Sequence, residues 1–142
     1  MKVKDIMSKE IAFLKSEDSI EKAAQLMKAY NVGSIPVCSG EQVIGIVTDR
    51  DITLRAVATG QNSKEQTVGN IMTPHTIVGN PEMSVEDVAQ IMSKSQIRRL
   101  PIVENNSLVG MVALGDIALE PTFQDSAEDA LTHISHPDNT LM

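Results

Sequence analysis

The chain has 142 residues, 42% hydrophobic and 22% charged, enough for one compact domain or two small, mutually dependent halves. A formal net charge of −7 repels polyanions, which disfavours nucleic acid and anionic membrane as partners. Aromatic content of 2%, without tryptophan, leaves the core to Met, Ile, Leu, Val and Ala, and the single cysteine, Cys38, excludes an internal disulfide.

The opening "MKVKDIMSKE" lacks the apolar centre of a signal peptide, and no later run has the length of a membrane span. A cytoplasmic protein is the expectation. "IAFL" (11–14) then reads as a short strand, followed by Ile20, Ala23, Ala24 and Met27 at helical spacing, with Asp18 or Ser19 as cap and Glu21 in the first turn. "SIPVC" and "VIGIV" are two strands joined by the turn "SGEQ". Thr48 caps a second helix predicted over about 49–58. The polar stretch "TGQNSKEQ" follows as linker.

The order then repeats. A shift of 65 places, Ile6 onto Ile71, lays residues 3–52 over 68–117 without a gap. Identities include Met7/Met72, Ser19/Ser84, Ala24/Ala89, Met27/Met92, Pro36/Pro101, Gly45/Gly110 and Asp51/Asp116. The chain therefore carries a duplicated strand–helix–strand–strand–helix unit. In the second copy "TIV" (76–78) is the first strand, and Val85, Val88, Ala89 and Met92 mark the helix capped by Ser84. "RLPIV" and "LVGMV" flank the turn "ENNS". The tail from Glu120 has no counterpart; Phe123, Ala127, Ala130, Leu131 and Ile134 predict one further amphipathic helix with a frayed end.

The two units end differently. "GIVTDRDI" (45–52) carries Thr48, Asp49, Arg50 and Asp51, whereas "GMVALGDI" (110–117) keeps Asp116 but has Ala113 for Thr48 and Gly115 for Arg50. A carboxylate one turn into a helix can accept from two adjacent ribose hydroxyls, and a Thr at the N-cap offers a hydroxyl to ribose or phosphate. The bland reading of the same residues is a helix cap with acidic residues at the positive end of the dipole. "QIRRLPIV" supplies Arg98 and Arg99, donors suited to phosphate, where the first unit has Gly33 and Ser34. Two adjacent strand arginines cannot face the same side.

A tandem unit ending in Gly-apolar-apolar-Thr-x-x-Asp resembles the cystathionine β-synthase (CBS) domain pair, or Bateman module, over roughly residues 3–120, and most of all small stand-alone bacterial CBS-pair proteins. The resemblance implies an α/β (α+β) fold: two CBS repeats of β-α-β-β-α packed through their sheets with pseudo-twofold symmetry, here plus a C-terminal helix. The expected boundaries are 1–60 for repeat 1, 61–67 for the linker, 68–120 for repeat 2 and 121–142 for the helix and tail. It also implies a non-catalytic regulatory module that senses AMP, ADP or ATP, sometimes S-adenosylmethionine, usually as a homodimer. Carried over by position, the nucleotide-binding residues are Ile46, Thr48, Arg50, Asp51, Thr76, Ile77, Arg98 and Arg99. The base is placed at Ile46 and Thr76–Ile77, the ribose at Asp51 and the phosphates at the arginines. Asp116 marks a weak second site. The regulated protein is not legible in the sequence.

Three other readings compete. A ligand-free dimerisation module fits the same fold; in either case helical faces rich in Met and Ala, including Leu26, Met27, Ile91 and Met92, are expected to be exposed and to form an isologous homodimer interface. A metal site could draw on Cys38, His75, His133 and His136, but their spacing fits no zinc pattern, and no metal is expected. An enzyme finds no nucleophile–base set, paired-carboxylate motif or phosphate loop in the sequence.

Overall fold

The computed structural model describes residues 1–74 and 76–136. The expected frayed end beyond His136 and the candidate ligand His75 lie outside the described residues. The strands and helices run β1 (Leu14–Lys15), α1 (Ile20–Tyr30), β2 (Ser34–Ser39), β3 (Gln42–Thr48), α2 (Asp49–Ile52), β4 (Thr73–Pro74), α3 (Val85–Ser95), β5 (Arg99–Glu104), β6 (Ser107–Ala113), α4 (Leu114–Ala118) and α5 (Gln124–Ile134). Past Ile52 the second helix continues as a π-helical turn, Thr53–Val57.

Local chemistry sets these boundaries. Ser19 accepts from the Lys22 N–H at 3.0 Å and Ser84 from the Asp87 N–H at 3.1 Å, which starts α1 and α3. Both helices end in a left-handed residue, Asn31 at φ 54° and Gln96 at φ 56°. The second hairpin turns through Asn105 and Asn106, both at positive φ, which favours the primed turn that matches strand twist.

The chain divides into two compact units that do not follow the repeat order. One comprises 11–76 with 106–108; the other comprises 1–10, 77–105 and 109–142. Each unit thus holds the leading segment of the other repeat.

In the first unit a four-stranded sheet has the order β1-β2-β3-β4. β1 is parallel to β2 (Leu14↔Val37), whereas β2–β3 and β3–β4 are antiparallel. Its core is Leu14, Ile20, Ala23, Met27, Ile35, Val37, Val47, Ala56, Val68 and Ile71. Fully burying an aliphatic side chain of this size contributes roughly 1.5–3 kcal/mol. In the second unit β5 and β6 pair, Gly79 bridges Ile102 in parallel, and Ser8 bridges Met111 antiparallel. These single bridges stand where β1 and β4 stand in the first unit. Lys2 and Lys4 both reach the exposed Glu82 at 3.2 Å and hold its carboxyl below the usual range.

Three expectations change. Thr76–Val78 forms no strand; the pairing expected there is reduced to the single parallel bridge of Gly79 to Ile102, one residue further on, while Thr73–Pro74 forms the separate edge strand β4, where proline is tolerated. Met27 and Met92 are buried in the cores of their units, with Leu26 and Ile91 half-buried against them, so this face is not exposed. Ala24 is exposed whereas Ala89 is buried, because α5 packs on α3 and contributes Phe123, Ala127 and Ala130 to that core.

Candidate functional site

β3 delivers Thr48 to the start of α2, and the strand end closes on itself. The Thr48 hydroxyl accepts from the Asp51 N–H at 3.0 Å, and Asp51 Oδ2 accepts from the Thr48 N–H at 3.0 Å. This reciprocal cap satisfies two donors that a helix start leaves free. Asp51 is 9% exposed, so the carboxylate expected to reach outward folds back instead. Its other oxygen, Oδ1, lies 3.8 Å from Arg55 Nε, and Arg55 also donates to the Ile71 carbonyl at 3.1 Å. Arg55, one turn beyond Asp51, escaped the sequence reading because no motif marks it.

In the second unit Asp116 Oδ2 accepts from the Ala113 N–H at 2.8 Å, the same half of the cap. Ala113 has no hydroxyl to return. The shared Asp is thereby explained by capping in both units; only the first adds the Thr.

Gly45 is buried on β3, and a Cβ there would lie 2.6 Å from Met72 Sδ and 2.8 Å from the Thr73 carbonyl. Gly110 meets Met7 and Ser8 in the same way, at 2.6 and 2.9 Å. The glycine of each Gly-apolar-apolar sequence therefore admits a neighbouring backbone. Ile46 pairs with Thr73 and is half-buried. Thr76 is half-buried with its hydroxyl 3.5 Å from the Thr73 carbonyl, whereas Ile77 and Arg50 are exposed. Ser34, paired with Thr48 in register, has a buried hydroxyl without a hydrogen-bond partner among the described residues.

Arg98 and Arg99 line one cavity of about 600 Å³ with Leu114 and Gly115. The opposite wall is α5, through Gln124, Ala127, Glu128 and Leu131. Alternation does not separate the two arginines, because β5 begins only at Arg99. Arg98 is exposed and Arg99 half-buried, and neither is ion-paired among the described residues. Thr48, Asp51, Arg50, Ile46 and Thr76 thus fall in the first unit; Ile77, Arg98, Arg99 and Asp116 fall in the second.

A larger cavity of about 940 Å³ between α3 and α5 includes His133 and His136. Among the described residues no group of three or more His, Cys, Asp or Glu could hold a metal ion. No helix among them is long and apolar enough to cross a membrane.

Two β-α-β-β-α units, each closed by an Asp that accepts from the N-cap N–H of its second helix, define the class of paired-repeat folds, and residues 3–57 and 68–121 each match the CBS domain. The chain belongs to the CBS domain family. It is 48% identical over 134 residues to the CBS domain-containing protein YhcV of Bacillus subtilis, covering 94% of this chain and 95% of that one. That coverage leaves the relative no length for a separate catalytic domain. Among solved structures, Hypoxic Response Protein I with two coordinated zinc ions superposes with a TM-score of 0.78 at 27% identity, over 84% of this chain and 98% of the other. A CBS domain pair in complex with 5′-methylthioadenosine and S-adenosyl-L-methionine superposes with a TM-score of 0.75 at 32% identity, over 84% and 94%.

Proposed function

We propose that this protein is a non-catalytic regulatory module that binds an adenine nucleotide, AMP, ADP or ATP, with S-adenosylmethionine as a further adenosyl ligand. The observation that carries this reading is the 32% identical CBS pair bound to two adenosyl compounds. The residues assigned, by their positions in the family motif, are Thr48 and Asp51 for the ribose, Ile46, Thr76 and Ile77 for the base, and Arg98 and Arg99 for phosphate, together with Arg50. Supporting it, among the described residues Asp51 Oδ1 accepts no hydrogen bond and neither Arg98 nor Arg99 forms an ion pair. The second position, marked by Asp116, is assigned weak binding, since the sequence has Ala113 in the place of Thr48, and Gly33 and Ser34 in the places of Arg98 and Arg99.

A second reading, a ligand-free dimerisation module, is favoured by one observation: the reciprocal cap accounts for Thr48 and Asp51 without any ligand. A panel of AMP, ADP, ATP, adenosine and S-adenosylmethionine scored by thermal melting separates the two, because a ligand that binds only the folded state raises the midpoint. A raised midpoint with an adenine nucleotide supports the module; no shift with any compound supports the ligand-free reading. We further propose a cytoplasmic homodimer that acts on another protein.

A further inference from the structure

The helix α5 lies outside the repeats, yet it walls the cavity that holds the two unpaired arginines. Gln124, Ala127, Glu128 and Leu131 share that wall, as residues three and four apart on one helical face must. Among the described residues Glu128 is the only acidic one lining this cavity, and it makes no ion pair with Arg98 or Arg99. An anion drawn in by the guanidiniums therefore also meets the Glu128 carboxylate. Repulsion grows with each negative charge the anion carries, whereas a neutral ligand feels none of it.

We propose that Glu128 is a selectivity-determining residue that biases the Arg98–Arg99 cavity toward anions of low charge, a single phosphate over a polyphosphate. This rests on the nucleotide reading above for its biological ligand, but its chemistry concerns the anion alone. The second unit contains every residue involved, and the tail helix gains a role beyond covering α3.

The test uses the full chain, its Glu128→Gln, Glu128→Asp and Arg99→Ala variants, and four probes: AMP, ATP, adenosine and inorganic tripolyphosphate, measured by calorimetry. Glu128→Gln should raise the ATP-to-AMP affinity ratio about threefold to tenfold. Glu128→Asp should keep the wild-type ratio, and adenosine should be unaffected. A ratio unchanged by Glu128→Gln, or an equal change for adenosine, overturns the proposal while leaving nucleotide binding intact. If no nucleotide binds but tripolyphosphate does, more tightly in Glu128→Gln and not in Arg99→Ala, the proposal stands and the nucleotide reading falls. If tripolyphosphate and nucleotides all fail to bind, both fall.

Discussion

Thr48 and Asp51 cap each other: each side-chain oxygen accepts from the other residue's backbone N–H at 3.0 Å. Asp116 makes only half of this arrangement, with Ala113. The duplicated carboxylate is thus structural in both units, and any ligand role is added on top of it.

Stability should follow the cap. Thr48→Ala should cost about 0.5–2 kcal/mol. Asp51→Ala should cost about 1–3 kcal/mol, because the partly buried Thr48 N–H loses its acceptor. Ala113 has the extended backbone of an N-cap, φ −108° and ψ 155°, so Ala113→Thr should stabilise by up to about 1 kcal/mol. Urea unfolding of the three variants checks this. An unchanged midpoint for Asp51→Ala would remove the capping account.

Gly45 and Gly110 should be intolerant of a methyl group. Each new Cβ would sit 2.6 Å from a methionine sulfur and within 2.9 Å of a carbonyl oxygen, so Gly45→Ala and Gly110→Ala should cost about 1–3 kcal/mol. Gly115, inside α4 with open space around it, is the control: Gly115→Ala should be neutral or stabilise by about 0.5–1 kcal/mol. Equal effects at Gly45 and Gly115 in denaturant titrations would contradict the close-approach argument.

Much of this was legible in sequence, and the misreadings have physical causes. Ser19, Ser84 and the Asn105–Asn106 turn act through neighbours within four residues, so their roles are visible in the pattern. Thr76–Val78 looks like a strand by composition, yet only Gly79, just beyond it, bridges to Ile102 of β5, a pairing made with a segment more than twenty residues away. Ala24 and Ala89 occupy the same place in the repeat but differ in burial, because only α3 receives α5. The exchange of leading segments between units is likewise non-local. Glu128 lies beyond the repeats, where no internal comparison could mark it.

Cys38 should be a poor nucleophile. It is 3% exposed, and burial pushes its thiol up. Native protein should react with Ellman's reagent far more slowly than protein in urea. The unfolded thiol ionises near pH 8.5 while the buried one stays protonated, so this group's contribution to stability declines as pH rises through that value. Labelling of native protein at the unfolded rate would contradict the burial.

Assembly should use the second helix of each unit. Leu54 (47% exposed) and Val57 (68%) follow α2, and Leu119 (81%), the repeat counterpart of Leu54, follows α4. Light scattering should give twice the chain mass, and Leu54→Glu with Leu119→Glu should shift it to monomer. A wild-type monomer at high micromolar concentration would contradict the homodimer.

The central claim is one adenine-nucleotide site per chain that depends on the charge of Asp51. Asp51→Asn is the informative variant, because its amide oxygen can still accept from the Thr48 N–H while the charge is gone. Isothermal calorimetry with AMP on wild type, Asp51→Asn and Asp116→Asn should show one site. Asp51→Asn should lose about 1.5–3 kcal/mol, roughly tenfold or more in affinity, and Asp116→Asn should titrate as wild type. Two equivalent sites per chain, equal losses at Asp51 and Asp116, or no binding of AMP, ADP or ATP would contradict it.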